Sequence, residues 1–190
     1  MAFLLATIGT DADYMPAHLY ALRNELPASA PTGPELWGVG YYADDRALVI
    51  KKPSELLRER TAYELASEVK SRVIVACSDN VRVREQAPPF RFRRWLFGSS
   101  GNLAPLGAMR ERIVDRLPDF VRSELGHKSD GELAFSMFLA ELFRSGKLDD
   151  PLATQAELAL GLRTTAETIA RLGTEQGAMI EAAYLSLIHI

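Results

Sequence analysis

Cysteine is almost missing from this 190-residue chain, where Cys77 is the only one. A single thiol excludes an internal disulfide framework and a cysteine-rich metal site. Histidine is nearly as scarce: His18, His127 and His189 are too scattered to suggest a metal-binding spacing, so neither metal nor cofactor is expected. No apolar run reaches the length of a membrane span. The opening run, residues 2–8, is too short for a signal peptide and has no basic lead-in, so a cytoplasmic protein without membrane contact is expected. An excess of positive charge is also lacking. The balance of 22 Lys and Arg against 25 Asp and Glu gives a net charge of −3, which offers no global attraction for nucleic acid. A Gly-rich phosphate loop and a Gly-x-Ser-x-Gly elbow are both absent.

What is present is ordinary globular material. Hydrophobic residues make up 47% and charged residues 25%, enough to bury a core in one domain. Residues 3–8 read as a buried strand. Leu19, Leu22 and Leu26 give residues 16–26 the spacing of a short amphipathic helix, and the Pro-rich stretch 27–34 reads as a surface loop. Residues 36–42 and 47–51 flank Ala43-Asp44-Asp45-Arg46 as a hairpin would. A helix over 62–69, a β-branched strand over 72–77 and a strand over 90–97 follow, with a turn at 99–101. Leu106, Met109 and Ile113 share one helix face up to Pro118. Ser129 with Glu132 spells a capping box before Phe135, Phe138, Leu139 and Leu142. Residues 151–172 read as helical, with Gly161 as a break. Strands first and helices later favour an α+β fold.

The most telling stretch is Phe90-Arg91-Phe92-Arg93-Arg94-Trp95-Leu96-Phe97-Gly98-Ser99-Ser100-Gly101-Asn102-Leu103, in series with Met1-Ala2-Phe3-Leu4-Leu5-Ala6, Trp37-Gly38-Val39-Gly40-Tyr41-Tyr42 and Ser129-Asp130-Gly131-Glu132. Taken in order, these segments resemble the class II (N-terminal nucleophile) glutamine amidotransferases. The resemblance implies an Ntn-hydrolase-like αββα sandwich of antiparallel sheets. It also implies a family chemistry in which an N-terminal cysteine attacks glutamine with its own α-amino group as base.

Carried across position by position, the resemblance keeps scaffold letters and changes reactive ones. Ala2 stands at the nucleophile position and supplies no sulfur. Asp79, in Ala76-Cys77-Ser78-Asp79, stands where the family's arginine grips the substrate carboxylate. At roughly 4 Å and an effective dielectric near 20, that inversion turns about 4 kcal/mol of attraction into similar repulsion. Arg82, three residues on, could restore the positive charge. Ser100 and Gly101 fall at the oxyanion-hole asparagine and glycine. They read either as a weakened oxyanion hole or as a plain Ser-Ser-Gly turn. Asp130 falls at the aspartate that binds the substrate amino group, and equally suits the first turn of a helix. Trp37-Gly38 is retained and reads as packing. Cys77, at the family's histidine position, reads as a core thiol or as a relocated nucleophile.

Arg82, Arg84, Arg91, Arg93 and Arg94 cluster beside Phe90, Phe92 and Trp95. Strand alternation puts them on a solvated face, so a small anionic ligand or an acidic partner is expected before nucleic acid. Residues 185–190 (Leu-Ser-Leu-Ile-His-Ile) read as the translation of a sequencing-adapter end and are set outside the fold. The domain is then expected over 1–184 and cut short at its C-terminal side. The expectation is a catalytically inactive class II amidotransferase-like domain that binds a small molecule or protein partner. The alternatives are a hydrolase using Cys77, Ser99 or Ser100, and a generic α+β interaction domain.

Overall fold

Residue 79 ends a strand whose apolar run has no polar interruption before Ser78, and that strand organises the first sheet. The computed structural model describes residues 3–21, 36–53, 69–79, 81, 83–124, 126, 129–175, 177 and 181–188. Strand β4 (Val73–Asp79) is buried from Ile74 to Ser78, as a short unbroken apolar run should be when both faces are covered. It pairs antiparallel with β1 (Phe3–Ile8), from Phe3↔Ser78 to Ile8↔Val73, and with β2 (Leu36–Ala43), from Leu36↔Asp79 to Tyr41↔Ile74. β3 (Arg46–Pro53) completes the order β1-β4-β2-β3. The β2–β3 hairpin turns through Asp44-Asp45. Asp44 takes a φ of 52°, a left-handed conformation that Asp tolerates better than most residues.

The second sheet has the order β5-β6-β7, formed by β5 (Phe90–Phe92), β6 (Trp95–Asn102) and β7 (Glu181–Ile188). This corrects two sequence expectations. Residues 90–97 are not one strand but a tight hairpin, with Phe90↔Phe97 and Phe92↔Trp95 in register and Arg93-Arg94 at the turn. Arg93 has a φ of 50°, and the Tyr42 hydroxyl donates to the Arg94 carbonyl at 2.9 Å. The turn is therefore held from the first sheet rather than announced by Gly or Asn. Nor is there a turn at 99–101, because β6 runs on through Ser99 and Ser100 to Asn102.

The chain divides into two compact units, Met1–Ser100 with Leu185–His189, and Gly101–Tyr184 with Ile190. In the first, glycines let the backbone of one sheet approach the other. A β-carbon at Gly98 would lie 2.6 Å from Leu4 Cδ1 and 2.9 Å from Cys77 Sγ. At Gly38 it would lie 2.2 Å from the Pro88 carbonyl oxygen. Leu96 packs with Tyr42 and Ala47. Helix α1 (Met15–Ala21) buries Met15 against Val39, Val69, Ile74 and Ala76. The rest of the expected helix over 16–26, the loop at 27–34 and most of the helix at 62–69 lie outside the described residues.

The second unit is helical. The face shared by Leu106, Met109 and Ile113 is buried as expected, but two short helices carry it: α2 (Ala104–Gly107) and α3 (Arg110–Val114). Between them the Met109 N–H bonds the Leu106 carbonyl, a tighter i−3 turn that breaks the helical ladder. After α4 (Asp119–Glu124) comes α5 (Asp130–Arg144), capped by Ser129, whose hydroxyl accepts from the Glu132 N–H at 3.1 Å. The Glu132 carboxylate accepts from the Gly126 N–H. Phe135, Phe138, Leu139 and Leu142 are wholly buried.

Helix α6 (Gln155–Glu175) starts with a capping box the sequence reading passed over. Thr154 Oγ1 accepts from the Glu157 N–H, and the Glu157 carboxylate accepts from the Thr154 N–H at 2.8 Å. Gly161 does not break this helix. It sits buried in mid-helix, where a β-carbon would meet Leu142 Cδ2 at 3.2 Å and Phe138 Cε2 at 3.6 Å, so its lack of a side chain serves close packing against α5.

Candidate functional site

β4 carries Cys77 and Asp79, which the resemblance sets at the family's histidine and at its carboxylate-gripping arginine. Cys77 is fully buried, its sulfur pressed toward Gly98 of β6. Burial pushes its thiol far above the ordinary range, and the nearby Asp79 carboxylate adds to this. Lys51 and a backbone hydrogen bond from Ser99 oppose it without reversing it. A thiol so held stays protonated, and only the thiolate is an effective nucleophile. Asp79 closes the strand, half-buried, in register with Leu36. Ala2 and Arg82 lie outside the described residues.

β6 carries Ser100 and Gly101, the two positions that the resemblance sets at an oxyanion hole. Ser99 is buried, at 4% exposure, and Ser100 is half-buried. Gly101 is exposed with a φ of 127°, a conformation that side-chain-bearing residues rarely adopt, so glycine is required by the backbone there. Of the positions carried over, Cys77, Asp79 and Ser100 belong to the first unit. Gly101 and Asp130 belong to the second.

Asp130 opens α5, and its surroundings are built by α2 and α3. Arg110 Nη2 donates to Asp130 Oδ1 at 2.8 Å, both side chains about one-third exposed or less. Gly107 faces the same carboxylate, where a β-carbon would lie 3.0 Å from Oδ1. Partial burial raises the Asp130 pKa above its ordinary value, and the Arg110 charge only partly counters this. The carboxylate is therefore already engaged by a guanidinium, a partner that no reading of the motif alone anticipated.

The basic cluster is largely absorbed by the fold. Arg84 Nη2 donates to the Lys51 carbonyl at 2.7 Å, and Arg91 Nη1 to the Ala47 carbonyl at 3.1 Å. Arg93 lies over the Phe92 ring and Arg94 over the Trp95 ring, at 5.0 and 5.9 Å from the centroids. These contacts fasten the β5–β6 hairpin and the neighbouring edge of the first sheet. Among the described residues no cluster of His, Cys, Asp and Glu could hold a metal ion, and no helix is long and apolar enough to cross a membrane.

No protein-family profile matches the chain, and no curated protein matches it. Solved structures do. A glutamine aminotransferase class-II domain protein from Silicibacter pomeroyi is 18% identical. It aligns over 79% of this chain and 64% of its own, with a TM-score of 0.49. The allosteric regulatory enzyme of purine biosynthesis is 15% identical and aligns over 100% of this chain and 35% of its own, with a TM-score of 0.50. The chain thus spans less than two thirds of either protein. The second likeness shows a shared fold: a mixed arrangement of antiparallel sheets and helices.

Proposed function

We propose that this chain is a class II glutamine amidotransferase-like domain, built on the Ntn-hydrolase αββα plan, that binds a small molecule or a protein partner and does not hydrolyse glutamine. The burial of Cys77 carries this reading. The one thiol of the sequence is closed off behind Gly98 and held protonated, so it does not replace the sulfur missing at Ala2. Two further features support it. Asp79 presents negative charge where an α-carboxylate would need a cation. Asp130 already has one oxygen bonded to Arg110, so an incoming ammonium group would have to share the carboxylate with a guanidinium. The resemblance in motif order and the shared fold support the family reading, and the altered side chains support the loss of activity.

The test is ammonia release. Purified protein incubated with millimolar glutamine is expected to release no ammonia above a heat-denatured blank in a coupled assay. Sustained release that scales with protein concentration would overturn the proposal.

A further inference from the structure

A groove of about 350 Å³ runs across the second unit, separate from Asp130 and lined by α3, α5 and α6. Its volume lies at the lower end of the roughly 300–1,000 Å³ typical of small-molecule sites. The apolar part of its wall comes from Met109, Ile113, Leu117, Met137 and Leu172. The polar part is strongly one-sided: Arg112, Arg116, Arg144 and Arg171 face Glu141 as the lone carboxylate among the lining residues. This concentration of positive charge sits on a chain whose net charge is −3.

The four guanidiniums are not equivalent. Arg144 pairs with Glu141 at 2.9 Å and Arg171 with Glu175 at 3.3 Å, each along its own helix. Arg112 and Arg116, on α3 and in the turn that ends it, are exposed and have no ion-pair partner among the described residues. Two unpaired planar donors beside an apolar slot fit an oxyanion head attached to an apolar body. The guanidinium fork matches a carboxylate or phosphate, and the Met and Leu side chains would cover the rest. Methionines suit such a wall because their unbranched side chains adapt to an irregular occupant.

We propose that this groove binds a small amphiphilic organic anion, with Arg112 and Arg116 holding the oxyanion and the Met109–Met137–Leu172 wall holding the apolar body. The proposal stands independently of the amidotransferase-like reading.

Binding is measured with decanoate and decyl phosphate by calorimetry on the full chain, with decanol, acetate and inorganic phosphate as comparators. Both amphiphilic anions are expected to bind, the better of the two naming the natural head group. Decanol and the two small anions are expected to bind at least about tenfold more weakly. The Arg112→Glu/Arg116→Glu double variant is expected to lose about tenfold or more in affinity, while Arg163→Glu, a charge reversal elsewhere on α6, leaves it unchanged. Both alter exposed positions, and unchanged melting curves verify folding. Equal binding of acetate or inorganic phosphate, equal loss in Arg163→Glu, or undiminished binding in the double variant would each overturn the proposal. So would a dimer, seen by light scattering, that dissociates on the same double reversal, because a second copy would then be the occupant.

Discussion

Arg110 and Asp130 meet at 2.8 Å in front of Gly107, and a methyl group at 107 would come within 3.0 Å of the same carboxylate oxygen. Burial outweighs the arginine, so the folded-state pKa of Asp130 is raised above its ordinary 3.8. For a raised acid, the stability this group contributes is complete below 3.8 and is lost as pH rises through the folded value. Arg110→Gln removes the opposing charge. Asp130 should then titrate at still higher pH in carboxyl-detected NMR, and that loss of stability should grow. A titration curve that does not move would show that the pair has no electrostatic weight.

The two close glycines should respond differently to a single methyl group. At Gly38 the obstacle is the Pro88 carbonyl, at 2.2 Å, and backbone cannot swing aside. At Gly98 the obstacles are the Leu4 side chain and the Cys77 sulfur, which have some rotamer freedom. Gly98→Ala should destabilise by about 1–3 kcal/mol, and Gly38→Ala by more than about 3 kcal/mol. Urea unfolding of both variants decides the order; Gly38→Ala at or below the cost of Gly98→Ala would contradict the packing described.

Cys77 should resist thiol reagents. With its sulfur buried and its pKa driven far up by burial, labelling by a disulfide reagent at about pH 8 should proceed only through opening of the native state. The rate should be at least about a hundredfold below that of the urea-unfolded chain. Native-state labelling as fast as that of the unfolded protein would place the thiol at the surface.

Acid should act through the start of α6. Glu157 accepts hydrogen bonds from Thr154 and pairs with Lys147 at 2.7 Å, and these partners lower its pKa from 4.5 to about 2. A depressed carboxylate contributes stability above its unfolded pKa and loses it as pH falls through the folded value. The Tm deficit of Glu157→Gln should therefore be full near about pH 6 and nearly gone by about pH 2. A deficit independent of pH would show that the carboxylate contributes shape rather than charge.

Much of this was legible from residue pattern. The buried run of β4, the Asp-Asp hairpin and the Ser129 cap each rest on local chemistry, and each stands where the sequence places it. The β5–β6 hairpin was hidden because its turn is made by Arg93 and Arg94, and what secures it is the Tyr42 hydroxyl, 52 residues upstream. Gly161 misled for a related reason. A glycine's helix penalty is local, whereas the benefit of close contact with Phe138 and Leu142 is tertiary. The Ser129 cap puts Asp130 in the first turn of α5, but its partner Arg110 sits 20 residues away in sequence and carries no signature. The four-arginine groove was equally invisible, since its members come from α3, the turn after it, α5 and α6, whose mutual packing no spacing rule encodes.

The seat of Gly161 against Phe138 and Leu142 also turns the distance from the Thr154 cap into a fixed count. Each residue inserted or removed between the two would swing the glycine by about 100° around the axis of α6 and bring a bulkier neighbour to the crossing. A change of length between Thr154 and Gly161 would therefore break the contact of the glycine with Phe138 and Leu142, which makes the cap and the glycine a single ruler.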